Sequence, residues 1–129
     1  MNKLIICLLT GISLQAYATD SANKLCKVTY FSLGFNGFAG NKSAGQLYYE
    51  EIMRSAKEST GIFKEILTSN TATNEAKLYA ACGVWRTDRG WLNAYTPADG
   101  SVTVLQGDIL RKAHFSDLLS QIKHHGCDI

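Results

Sequence analysis

The chain has 129 residues, a formal net charge of +2 at pH 7 and a single proline. That length suits one domain around one core. The basic residues are scattered rather than gathered into a patch, which argues against nucleic-acid binding, and no candidate helix carries a basic face suited to a membrane surface.

Residues 1–18 read as a secretory leader. Lys3 is a positive n-region, Leu4, Ile5, Ile6, Cys7, Leu8, Leu9, Ile12 and Leu14 form a short apolar run, and Ala16-Tyr17-Ala18 supplies a small-x-small cleavage site. The run is too short to span a bilayer. The expectation is cleavage after Ala18, a periplasmic or secreted location and no stable membrane anchor afterwards. Residues 19–129 then form one helical domain, with the net charge lowered to +1 by the loss of Lys3.

Cys26, Cys82 and Cys127 remain after cleavage. In an oxidising compartment this predicts one disulfide and one leftover thiol. Three pairings are open. Cys26–Cys127 is preferred because both lie at the ends of the domain, while Cys82 sits in an apolar run where a thiol packs as a small hydrophobe.

Residues 19–25 read as a polar lead-in. The segment 26–33 is rich in β-formers and suggests a short strand. It runs into Gly34-Phe35-Asn36-Gly37-Phe38-Ala39-Gly40, whose recurrent glycines predict a loop. Ser43 and Gln46 form a capping box, and Tyr48, Tyr49, Ile52, Met53 and Ala56 share a face of the helix that follows. After a break at Ser59-Thr60-Gly61, Ile62, Phe63, Ile66 and Leu67 make a second apolar stripe.

Thr73 is the expected N-cap of a third helix, from about Asn74 to Trp85, apolar on most of its surface and therefore central. A fourth helix follows Asp88, carries Trp91, Leu92 and Tyr95, and stops at Pro97. Val102–Gln106 and Ile109–Lys112 flank Gly107-Asp108, which suits a type II′ hairpin. A last helix from about Ser116 ends at Gly126 as an αL cap, with Lys123, His124 and His125 in its final turn. The fold class is mainly α: a compact bundle of about five short helices with a small β-hairpin before the last.

Catalytic patterns are missing from the sequence. His124-His125-Gly126-Cys127 lacks the spaced ligand pairs of a zinc site, so no metal or cofactor is expected. Cys82, with His114 or His124 as partner, lacks the electropositive setting of a reactive thiol. Glu50-Glu51 lies on a solvated face, and Gly40-Asn41-Lys42-Ser43 departs from a phosphate loop. Large aromatics with arginine anchor protein interfaces, which makes Phe35, Phe38, Arg89, Trp91 and Tyr95 the candidate binding residues, against the alternative that these aromatics fill the core.

The combination of Phe35-x-Gly37-x-Ala39-Gly40 with Ser43, Lys77-Leu78-Tyr79-Ala80 and the 102–107 segment resembles an uncharacterised group of small exported bacterial proteins. The resemblance covers most of the chain after the leader. It implies a mostly helical exported domain and brings no catalytic residue with it. The expected function is non-catalytic: binding another envelope or secreted protein as an accessory, inhibitor or immunity-type factor. A small cell-wall or glycan hydrolase and a structural envelope component are the alternatives.

Overall fold

Helix α4 (Asn74–Thr87) is the centre of the molecule. Ala76 and every residue from Leu78 to Val84 are buried, as expected of a helix apolar on most of its surface. In the computed structural model, which describes residues 16–33, 35–36, 41–55 and 57–127, the remaining helices among the described residues are α1 (Ala16–Leu25), α2 (Ala44–Met53), α3 (Ser59–Thr68), α5 (Arg89–Ala94) and α6 (Phe115–His125). Two antiparallel pairs accompany them: β1 (Phe35–Asn36) with β2 (Asn41–Lys42), and β3 (Ser101–Gln106) with β4 (Ile109–His114). The fold is mainly α, with a hairpin before the last helix. Helix α4 packs against α2, α3, α5, α6 and β3.

The local signals act as read. Ser43 caps α2 by accepting from Gln46 N–H at 3.1 Å, and the Gln46 side-chain amide donates to Glu50 at 3.1 Å. Thr73 caps α4 through Ala76 N–H at 3.1 Å and donates to the Val28 carbonyl at 2.7 Å. Asp88 closes α4 with its backbone N–H to the Val84 carbonyl, and opens α5 by accepting from Trp91 N–H at 3.3 Å. The Asp99 carboxylate accepts the Ser116 N–H of α6 at 2.8 Å, a cap lent by a residue outside the helix. That bond, with a second from Gly100 N–H, holds the Asp99 carboxyl below the usual carboxylate range.

Several expectations are corrected. Residues 19–25 are helical, because Ala22, Leu25 and Cys26 form a sparse buried stripe. Only Phe31 of the 26–33 segment reaches a strand: its N–H donates to the Thr103 carbonyl at 2.8 Å and its carbonyl accepts from Leu105 N–H at 3.0 Å. Gly126 has positive φ (76°), but its ψ of −165° lies outside the αL region. The turn is as expected. Gly107 has φ +62° and Asp108 is not at positive φ, which fits type II′ rather than I′.

The preferred Cys26–Cys127 disulfide is wrong. Cys82 bonds to Cys127, with Cα atoms 5.6 Å apart, because α6 runs back along α4 and delivers its C-terminal end to the middle of that helix. Cys82 is therefore not a leftover thiol, and Cys26 is itself disulfide-bonded. The expected leader lies outside the described residues up to Gln15, and the expected cleavage point falls in the first turn of α1.

Candidate functional site

The structure divides the aromatic residues that the sequence groups together. Trp91 and Tyr95 stack with ring centroids 5.5 Å apart, one helical turn from each other. Arg89, two residues from Trp91, points away from both. Its guanidinium lies 3.8 Å over the Trp85 ring, and its Nε donates to the Trp85 carbonyl. Of the other two candidates, Phe35 is described only as backbone paired with Lys42, and Phe38 lies outside the described residues.

Trp91 and Tyr95 belong to a seam joining α3, α5 and α6. Lys64 Nζ sits 5.3 Å from the Trp91 ring and 2.7 Å from Asp88 Oδ2. That hydrogen bond is the main reason the Asp88 carboxyl titrates below its ordinary range. The Tyr95 hydroxyl donates to the Leu67 carbonyl at 2.7 Å, and burial pushes its pKa up to about 12. Lys123 of α6 donates to the Tyr95 carbonyl at 2.6 Å. Much of the polar capacity of the seam is thus used inside the molecule, leaving a groove of about 310 Å³ between Trp91 and Gly61, Lys64 and Thr68 of α3.

A second groove, of about 250 Å³, lies between α2 and α4 and is lined by Tyr49, Glu50, Met53, Arg54 and Arg86. Its charges are partly matched. Glu50 accepts from Lys42 at 3.0 Å and from Gln46 at 3.1 Å, and Arg54 pairs with Glu51. Burial works to raise the Glu50 carboxyl, but these hydrogen bonds outweigh it and hold the group low. Tyr49 is raised by burial, with the Arg86 guanidinium acting against the shift.

The hairpin presents a different surface. Val102 and Val104 of β3 face the core, whereas every β4 residue except Ala113 is exposed, Ile109 to 68% and Leu110 to 60%. Phe31 bonds to the outward carbonyl of Thr103 and the outward N–H of Leu105. These two residues therefore occupy non-hydrogen-bonded pairs with Lys112 and Leu110. In such pairs the backbone groups of both strands point away from the ladder, so Leu110 and Lys112 aim their N–H and C=O at the free edge. No described backbone group meets them there. Arg111 Nε donates to the Gln106 side chain and Lys112 Nζ to the Thr103 hydroxyl, and neither cation faces a carboxylate among the described residues. A groove of about 440 Å³ opens beside the hairpin, lined by Gln106 and by Phe31, Leu33, Leu118 and Ile122.

Sequence reasoning found the hairpin but missed its exposure. A signal was present: Ile109-Leu110-Arg111-Lys112 runs apolar, apolar, basic, basic, without the alternation of a half-buried strand. Among the described residues, no group of three His, Cys, Asp or Glu side chains is placed to hold a metal ion, and the Cys127 sulfur of the C-terminal His-His-x-Cys run is committed to its disulfide. No family model, no curated protein and no solved structure matches this chain.

Proposed function

We propose that this protein is an exported, non-catalytic domain that binds another protein of the cell envelope or the exterior, and that it docks through the β3–β4 hairpin. The observation that carries the reading is the open β4 edge with Ile109 and Leu110 exposed on it. An unpaired strand edge beside accessible apolar side chains is a recurrent protein-recognition surface. The leader-like residues 1–18 support export, and a disulfide buried at Cys82 suits an oxidising compartment. A photo-crosslinking residue at position 109 or 110, introduced in the native host, is expected to trap one partner of defined mass. Failure to trap any protein above the level seen with the probe on the exposed α2 residue Leu47 overturns the reading.

A further inference from the structure

We propose that the partner presents an extended segment bearing acidic residues, which adds to the outer edge of β4 as a third strand. This inference rests on the docking surface proposed above and specifies the chemistry of its occupant.

A strand laid along β4 meets two rows of side chains. Cross-strand pairing puts Leu110 and Lys112 on one face of the hairpin, with Leu105 and Thr103, and puts Ile109 and Arg111 on the other, with Gln106 and Val104. Both faces run from apolar at the turn to basic toward α6. The complementary segment therefore carries apolar residues against the hairpin tip and carboxylates beside Arg111 and Lys112. In the antiparallel sense, which is the slightly more stable one, it reads acidic-acidic-apolar-apolar from its N-terminus. Its backbone engages the outward N–H and C=O groups of Leu110 and Lys112, and its carboxylates meet two cations that face no carboxylate among the described residues.

The same charges disfavour a second copy of this chain as the occupant. Antiparallel β4–β4 pairing must set outward-directed residues opposite one another, so a two-fold pairing near the strand centre places Arg111 opposite Arg111, or Lys112 opposite Lys112, of the other copy, and like charges directly opposite are destabilising. Basic residues are a common guard against edge-to-edge association. Here they also select by sign: a strand of opposite charge passes the guard.

The test uses the whole protein and a seven-residue peptide, Thr-Asp-Glu-Val-Val-Thr-Thr, with a control in which Lys-Arg replaces Asp-Glu. The acidic peptide is expected to bind at least tenfold more tightly and to slow hydrogen exchange at the Leu110 and Lys112 amides. Arg111→Glu with Lys112→Glu should reverse the preference. Lys112→Pro removes an N–H that points outward, so it should keep the hairpin by circular dichroism while abolishing peptide binding. Equal affinity for the two peptides, protection at amides outside β4, or a charge-reversed variant with unchanged preference would overturn the proposal. So would sedimentation of the protein with phosphatidylglycerol vesicles, dependent on Arg111 and Lys112, when the peptide gives no protection. Crosslinks from positions 109 and 110 without peptide binding sink strand addition and leave the docking surface standing, whereas absence of both removes the two readings together.

Discussion

The Tyr79 hydroxyl lies 2.8 Å from Ser43 Oγ, joining the middle of the central helix to the N-cap of α2. It also donates to the Ser32 carbonyl at 2.8 Å and accepts the Ser32 N–H at 2.9 Å, all within the buried interior. Tyr79→Phe withdraws this one oxygen from three partners, at an expected cost of about 1–3 kcal/mol. Urea denaturation checks this, and an unchanged midpoint would show that the network contributes nothing net.

Helices α3 and α4 meet where Gly83 faces Phe63. A Cβ at position 83 would lie 2.3 Å from the Phe63 ring. Gly83→Ala should therefore destabilise by about 1–3 kcal/mol through overpacking, exceeding the roughly 1 kcal/mol gained in helix propensity. Ala80→Leu on the same buried helix should show a penalty of similar size. A melting temperature raised by Gly83→Ala would mean that Phe63 has room to move.

The Cys82–Cys127 bridge closes a loop of 45 residues, worth about 4 kcal/mol in the chain-entropy view. Replacing both cysteines with alanine should lower the melting temperature and expose the end of α6 to carboxypeptidase. Non-reducing peptide mapping should recover Cys82 linked to Cys127, and a Cys26–Cys127 peptide would contradict the structure.

Asp88 gives a pH signature. Its folded pKa is depressed, chiefly by the Lys64 hydrogen bond. The stability it contributes is thus present above the unfolded value of about 3.9 and lost as pH falls through the lower folded value. Between pH 5 and pH 2, the melting temperature of Asp88→Asn should fall less steeply than that of the parent. Parallel curves would remove Asp88 from the acid transition.

Processing is checked by mass spectrometry of the exported protein, which should give an N-terminus at Thr19. An intact Met1, or recovery only from the cytoplasm, would overturn the export reading.

What was legible in the sequence was local. Ser43, Thr73 and Asp88 cap helices from within three residues, and Gly107 sets a turn from two, so short-range chemistry was enough to place α2, α4, α5 and the hairpin. Helix α1 escaped because, among the residues whose burial is described, its apolar stripe is Ala22 and Leu25, with Cys26 just past its end, too thin against a polar background. The disulfide escaped because it depends on the path of α6 across α4, which no spacing encodes. The candidate site was least legible. Trp91 and Tyr95 carry the composition of an interface, yet Tyr95 is tied to Leu67 and Lys123, while exposed Ile109 and Leu110 read as ordinary strand residues until the edge beside them is seen.

The two-residue turn at Gly107 acts as a ruler for everything around it. Side chains alternate along a strand, so a slip of one residue in β3 would turn Val102 and Val104 toward water and bring Thr103 and Leu105 inward. The same slip taken up by β4 instead would exchange the β4 amides held in the ladder for those now directed outward. The handedness of a single residue, at φ +62°, thus decides two things together: which apolar side chains seal the interior, and which backbone groups remain available to a visitor. A substitution at Gly107 that forces negative φ should disturb core packing and edge recognition in proportion, although residue 107 itself touches neither.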